Sequence, residues 1–492
     1  MKILKYISVV LLVGSITSSC SKKLEVENLN QPNLVQSMQS PDDVKGVASS
    51  LINNWFQTVH EYNGPALALW TMADNGTCSW GNAGMRDLSS EPRANFVNTP
   101  SYSYKQITEV YWKWLYATNS SANDVILAIE SNEMEIGEDG SETNMVKAVA
   151  YMSQGLTIGY TALLFDKVYL VDETTEDALA VEASSYQDAA AFAVEKLEKA
   201  IAIFEAEDFS LPGGWIPGDT YTSDDMAKLA HSFVARLLVY NSRNSAQNSA
   251  VDWASVLNHA QKGIQKDFAP LADDVTWYSL YQTYSVYPGW GRVDMRVINM
   301  MDPTIPSVWP AGGYESHANL LEMVSDDKRA VTDFEYLSSN AFRPERGEYH
   351  FSSYRFSRLD EYITTWTEPM RDLTVAENDL FIAEAHYQLG DLASAAAVIN
   401  AGTRVTRGEL PEIGATDSEV KDAVWYERNI ELILTGPGIE FFDMRRNDQL
   451  QSGTLLHFPI PAQQLEVIEQ PFYTFGGNQG VAGEDVSNGG WK

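Results

Sequence analysis

The chain has 492 residues, 44% of them hydrophobic and 21% charged, which is enough apolar material for a packed core and rules out a disordered, highly charged chain. Its formal net charge of −33 argues against a nucleic-acid partner and against charge-driven adhesion to an anionic membrane, since both need a basic footprint. Two cysteines, Cys20 and Cys78, allow neither a disulfide framework nor a cysteine metal cluster.

The first twenty residues set the compartment. Lys2 and Lys5 form a positive start, Tyr6 to Ile16 is an apolar run too short to span a bilayer, and Ser18 and Ser19 precede Cys20. A short apolar run ending in small residues and a cysteine resembles a bacterial lipoprotein signal. Residues 1–19 are then removed and Cys20 carries acyl chains; an ordinary secretory signal with an incidental cysteine is the alternative. No other run approaches the ~18 apolar residues of a membrane helix. The body is therefore residues 20–492, tethered by lipid at Cys20.

Downstream, the periodicity predicts a mostly α protein. Ser40-Pro41 places a cap and a proline at a helix start. Residues 64–105 are loop-rich. Met145–Phe165 pairs with Tyr186–Phe204, preceded by capping-box spacing at Ser184-Ser185-Tyr186-Gln187. Asp225–Tyr240 carries one continuous stripe of Met226, Leu229, Ala230, Phe233, Val234, Leu237 and Leu238, and pairs with Trp253–Ile264. From about 268 to 374 the chain is rich in Trp, Tyr, Gly and Pro and reads as an irregular, loop-rich inserted subdomain. Asn378–Gln388, a Gly390-Asp391 break and Leu392–Asn400 then follow the helix–turn–helix logic of a tetratricopeptide unit, and Thr416 to Glu419 repeats the capping spacing. The fold expected is a tetratricopeptide-like frame of helical pairs. The glycine-rich tail from Gly476 is assigned no structure.

No P-loop, G-x-S-x-G, H-E-x-x-H or dinucleotide fingerprint is present, and the seven histidines show no metal-ligand spacing. No catalytic residue, cofactor or metal is therefore assigned. Cys78 reads as a small buried residue, with a reactive thiol as the alternative. The informative cluster is aromatic. Trp277, Tyr278, Tyr281, Tyr284, Tyr287 and Trp290 fall within fourteen residues, a density about four times the 11% of the whole chain. Trp309 and Tyr314 follow. Rings with polar tips can stack on a sugar's C–H face, and Pro288-Gly289 places part of the cluster in a loop. A second candidate set is Asp74, Asn75, Trp80, Asn82 and Arg86, built around an Asn-Gly turn. The ligand-binding residues expected are Asp74, Asn75, Trp80, Asn82, Arg86, Trp277, Tyr281, Tyr284, Trp290 and Trp309, forming a shallow surface. A local aromatic core, or contact with a partner protein, is the competing reading.

Several segments in order resemble the SusD/RagB family. They are Asn30-Gln31-Pro32-Asn33; Tyr111-Trp112-Lys113-Trp114 leading to Asn119 and Asn123; Met145–Val168; Ala230–Tyr240; and Ala383-Glu384-Ala385 with Leu389-Gly390-Asp391. The most specific are Glu427 to Leu432, Phe441-Phe442-Asp443-Met444-Arg445-Arg446 and Phe458-Pro459-Ile460-Pro461. Gly436-Pro437-Gly438-Ile439 departs from the family's usual stretch before Phe441. The charges from Glu427 to Arg446 are expected to pair inside the body.

The resemblance implies a surface-exposed lipoprotein of the outer membrane that binds an oligosaccharide or a peptide and caps a SusC-type TonB-dependent transporter as a hinged lid. It implies no covalent chemistry. A surface glycoside hydrolase or peptidase, and a helical-repeat scaffold for another protein, are the alternatives. Cys20→Ala is expected to leave the protein unacylated and to shift it from the membrane pellet to the supernatant on fractionation; normal retention would sink the anchor.

Overall fold

The structure, a computed structural model, describes residues 38, 40–78, 81–309, 322–338 and 350–492. Cys20, the Asn30–Asn33 segment, Trp80 and Tyr314 lie outside the described residues. The helical reading holds. In chain order the main elements are α1 (Pro41–His60), α2 (Ala66–Met72), β1 (Gly76–Cys78), α3 (Met85–Ser89), α4 (Gln106–Ser131), α5 (Thr143–Leu164), β2 (Lys167–Tyr169), β3 (Ala183–Ser185), α6 (Tyr186–Ala206), α7 (Ser223–Tyr240), α8 (Trp253–Gln261), α9 (Leu280–Val286), β4 (Gly291–Val293), α10 (Met295–Met301), β5 (Phe334–Tyr336), β6 (Tyr354–Phe356), α11 (Val375–Gln388), α12 (Leu392–Ala401), α13 (Asp417–Ile430), α14 (Ile439–Arg446) and α15 (Ala462–Val467). The strands form three antiparallel pairs: β1 with β4, β2 with β3, and β5 with β6.

The long helices pack serially, α1 on α4, then α5, α6, α7, α8 and α11, with α12 and α13 against α11. Their starts are set locally. Ser40 and Thr222 each form a capping box with the aspartate three residues on, and Thr416 accepts from the Glu419 amide. The α6 cap differs by one residue from the expected spacing: Ser185, not Ser184, accepts from the Asp188 amide, because Asp188 supplies the N3 position that Gln187 was expected to fill. Helix α5 is buried along nearly its whole length. Gly155 and Gly159, one turn apart, face α6 and α7. A Cβ at Gly155 would sit 2.6 Å from Leu197, and one at Gly159 would sit 2.5 Å from Leu237. Bare backbone at these two points lets three helices close together. Trp55, wholly buried, meets Tyr160 and Phe233 edge-on at 5.1 and 5.3 Å and ties α1 into this core.

The charges of the C-terminal third pair inside the body, as their spacing led us to expect. Arg428 lies 2.8 Å from Glu384 on α11 and 3.5 Å from Asp443 on α14, and Arg446 reaches both of the same carboxylates. Arg329 holds Asp327, Glu427 and Glu431 at 2.8, 2.6 and 3.2 Å. Among the described residues Arg445 meets no carboxylate and donates instead to the carbonyls of Leu163, Leu456 and Tyr240. The tail from Gly476 is not free. It bridges Asn95, and the Trp491 indole donates to Asp74 at 2.8 Å, a long-range contact that no local pattern in the tail encodes.

Glu384 serves two buried guanidinium groups. Burial alone would raise its pKa, but Arg446 and Arg428 outweigh this and hold it below the usual glutamate value of 4.5. A carboxyl whose folded pKa is depressed contributes stability that is complete above the unfolded pKa and is lost as pH falls through the folded one. Glu384→Gln should therefore cost about 3–5 kcal/mol at neutral pH, because it strands buried charge, and should flatten part of the stability loss seen on acidifying below about 4.5. Urea denaturation at a series of pH values reads both, and a variant as stable as wild type at pH 7 would show that the pairs are not stabilising.

Candidate functional site

The two irregular segments meet through one short ladder. Gly76, Thr77 and Cys78 of β1 face Val293, Arg292 and Gly291 of β4. Glycine is required at both ends: a Cβ at Gly76 would lie 1.7 Å from the Trp70 ring, and one at Gly291 would lie 2.0 Å from the Ser285 carbonyl. The Asp294 amide donates to the Asn75 carbonyl, and Arg296 Nε to the Asp74 carbonyl, both at 3.0 Å. Residues 74–78 and 291–296 are thus brought together, although some two hundred residues separate them in sequence.

Five of the expected ligand-binding side chains, Asp74, Asn75, Trp277, Tyr281 and Tyr284, belong to the interior instead. Asp74 is buried, 2.9 Å from Arg93, and accepts from Gln451 at 2.7 Å. Asn75 accepts from the Trp70 indole at 3.2 Å and has no exposed surface. Trp277 is 3% exposed and packs at 5.2 Å on Phe56; Tyr281 is fully buried. The physical reason is that irregular backbone still needs a core beneath it, and large rings supply most of the apolar area available there. Trp309 is half-buried. Its indole donates to the Phe351 carbonyl at 3.1 Å, and its ring stands edge-on to Phe351 at 4.6 Å. Arg86 is exposed beside Asp87 at 3.5 Å.

Asn82 and Trp290 join a platform whose base is the buried ring of Tyr284, 8% exposed. Tyr62 and Tyr284 stack nearly parallel, centroids 6.4 Å apart at 5°. Trp290 lies 5.0 Å from Tyr284 and 4.8 Å from Tyr287. The Tyr284 hydroxyl is hydrogen-bonded to Asn82 Oδ1, which links the two segments a second time. Trp290 is placed by a tight turn: its amide donates to the Tyr287 carbonyl at 3.0 Å, with Pro288 next and Gly289 at φ +88°. Proline followed by a left-handed glycine is the chemistry of a type II turn, so Tyr-Pro-Gly-Trp encodes the projection of both rings. Tyr287 is 39% exposed and Trp290 half-buried. Sequence reasoning placed Asn82, Tyr284 and Trp290 here. It missed Tyr62, which follows α1 and has no local signal, and left Tyr287 in the cluster without a role.

One buried chain has the form of a nucleophile relay. The Ser279 hydroxyl lies 2.8 Å from His60 Nδ1, and His60 Nε2 lies 3.2 Å from Asp372. Ser279, His60 and Asp372 are 0%, 1% and 0% exposed, Phe56 stacks on the imidazole at 3.9 Å, and Arg236 pairs with Asp372. Burial, opposed by Asp372, lowers the His60 pKa. No substrate reaches a serine so placed, and its hydroxyl instead caps α9. His231 and His259 also meet, Nδ1 to Nδ1 at 2.8 Å, a pairing that their sequence separation hides. Among the described residues no group of three or more His, Cys, Asp or Glu side chains is placed to hold a metal ion.

The two classes of aromatic should separate experimentally. Tyr281→Ala is expected to cost about 3–5 kcal/mol in urea denaturation, as other large buried rings do, while Trp290→Ala should cost well under half as much. Equal losses would mean that Trp290 is core as well.

No protein-family model and no curated protein matches the sequence. Solved structures do. A SusD superfamily protein from Bacteroides vulgatus ATCC 8482 aligns over 87% of this chain and 97% of its own at 16% identity, TM-score 0.58. A SusD superfamily protein from Parabacteroides distasonis ATCC 8503 aligns over 86% and 98% at 14% identity, TM-score 0.60. A protein described as a SusD-like carbohydrate binding protein from Bacteroides vulgatus ATCC 8482 aligns over 84% of each chain at 16% identity, TM-score 0.55. Identities this low carry the fold and nothing finer, and by that measure the chain has the SusD-superfamily fold.

Proposed function

We propose that this chain is a lipid-anchored, surface-exposed nutrient-binding protein of the outer membrane, and that it delivers an oligosaccharide to a SusC-type TonB-dependent transporter for which it serves as lid. The observation that carries this reading is the platform of Tyr62, Tyr284, Tyr287 and Trp290 beside Asn82, raised on a structure of the SusD-superfamily fold. Ring faces take the C–H face of a sugar, and the side-chain amide of Asn82 can meet its hydroxyls. One solved structure of this fold is itself described as carbohydrate binding. No helix of the described residues is long and apolar enough to cross a membrane, which suits attachment through Cys20. The role needs binding and release only, so no nucleophile or general base is invoked.

A platform of partly exposed rings shares its affinity among several residues, each worth about 1–2 kcal/mol. Tyr287→Ala and Trp290→Ala should each weaken binding of an imported oligosaccharide about five- to thirtyfold in calorimetry, with circular dichroism unchanged. Affinity purification from membranes should also recover a large TonB-dependent barrel. Folded variants that bind as wild type does would move the ligand elsewhere, and turnover of the glycan would favour the hydrolase.

A further inference from the structure

The chain contains three Asn-Gly pairs, Asn63-Gly64, Asn75-Gly76 and Asn488-Gly489. Glycine has no Cβ to shield its amide nitrogen. In such a pair that nitrogen can reach the asparagine side-chain carbon Cγ and close a five-membered ring. The reaction needs both the side chain and the following amide free to move, and the fold treats the three pairs differently.

Two pairs are held. Asn75 has no exposed surface, its side chain accepts from the Trp70 indole at 3.2 Å, and Gly76 lies in the β1–β4 ladder opposite Val293. The Gly64 amide donates to the Glu61 carbonyl at 3.0 Å, which occupies the nitrogen that would attack. Asn63 is tied to Glu61 Oε1 through its main-chain and side-chain nitrogens at 3.3 and 3.5 Å. Each of these pairs must open locally before it can react. The third is not held. Asn488 is exposed, and its carboxamide takes no hydrogen bond among the described residues. The Gly489 amide meets only the Ser487 hydroxyl among them, at 3.5 Å. Gly489 also has φ +146°, which a side chain would strain, so the residue that makes the pair reactive is one the backbone requires.

The chain beyond Gly489 is tightly placed. A Cβ at Gly490 would sit 2.4 Å from the carbonyls of both Gln449 and Leu450. The Trp491 amide donates to the Gln449 carbonyl at 3.3 Å, its indole donates to Asp74, and its ring lies 6.0 Å from the Arg296 guanidinium. Lys492 pairs with Glu91. These contacts strap the tail down beside Asp74, at the start of the β1–β4 ladder.

We propose that Asn488 is a site of spontaneous backbone modification to isoaspartate, and that the change releases the strap of Gly490, Trp491 and Lys492. The Gly489 nitrogen bonds to Asn488 Cγ and loses its proton. The Cγ–Nδ2 bond breaks, and Nδ2 leaves as ammonia with a proton in place of that bond. Water then opens the cyclic imide. Cleavage at the main-chain carbonyl carbon leaves Cγ in the backbone, which is isoaspartate; cleavage at Cγ leaves aspartate. Isoaspartate lengthens the main chain by one carbon. The close passage at Gly490 has no room for it, so Trp491 and Lys492 lose their register on Asp74 and Glu91. Aspartate keeps that register.

Ageing the full chain in warm, mildly alkaline buffer tests this, with peptide mapping by fragmentation that separates isoaspartate from aspartate. Asn488 should lose its amide, chiefly to isoaspartate and faster as pH rises, while Asn63 and Asn75 stay intact. In urea all three should react. Hydrogen exchange should show the aged protein losing protection at the Trp491 amide. Asn488→Gln, which would have to close a larger ring, should keep that protection when aged alike. Fresh Asn488→Asp, which carries the charge without the added carbon, should keep it too. An unreacted Asn488 overturns the site, as does reaction of Asn63 or Asn75 at the same rate in the folded protein. Asn63 and Asn75 unreactive in urea would remove the fold's part in the selection. A modified tail as protected as the fresh one, or a fresh Asn488→Asp tail as unprotected as the aged one, overturns release by chain lengthening.

Discussion

Arg428 and Arg446 share Glu384 and Asp443 in a space closed to water. Removing such ions from solvent costs several kcal/mol each, and the cost is offset only when the geometry of every pair is right. The arrangement therefore admits one register. Three helices, α11, α13 and α14, must meet at one point with their charges aligned, which fixes the C-terminal third against the helical array. A layer away, Arg236 acts in the same manner, reaching Glu377 at 3.0 Å, Tyr160 at 2.7 Å and Asp372 at 3.2 Å. Arg445 makes the point by contrast. Burial and the neighbouring charge of Arg243 hold its pKa well below the ordinary value, yet its donors still find three carbonyls.

This interior reaches the candidate site through α13. Asn429, next to Arg428, accepts from Arg296 at 2.9 Å, and Arg296 in turn holds the Asp74 carbonyl under the β1–β4 ladder. Nearby, burial and the charge of Asp74 push the Asp294 carboxyl well up. The rings at Tyr284 and Trp290 therefore stand on a floor tied to the most constrained region of the molecule. A binding surface gains from that, because rings already in place lose little freedom when a ligand arrives. Buried arginines spread over a helical array thus hold loops that the array alone would leave unanchored.

The sequence determined the long helices, their caps to within a residue, and the internal pairing of the charges from Glu427 to Arg446, but not the short helices Ala66–Met72, Met85–Ser89, Leu280–Val286 and Met295–Met301 inside the stretches read as loop-rich. Apolar spacing, short polar caps and glycine breaks act over one to four residues, and such short-range signals survive in any context. The turn at Tyr287-Pro288-Gly289-Trp290 was legible for the same reason. Which aromatics face water was not. Tyr284 and Tyr287 lie three residues apart, and only the packing of Tyr62 and the Asn82 loop against the first makes it buried and leaves the second exposed. Tyr62 joined them, and His60 was sealed beside Ser279, because elements distant in the chain came together. Burial is a property of what covers a residue, and what covers these residues comes from elsewhere in the chain, so the tertiary structure alone decided it.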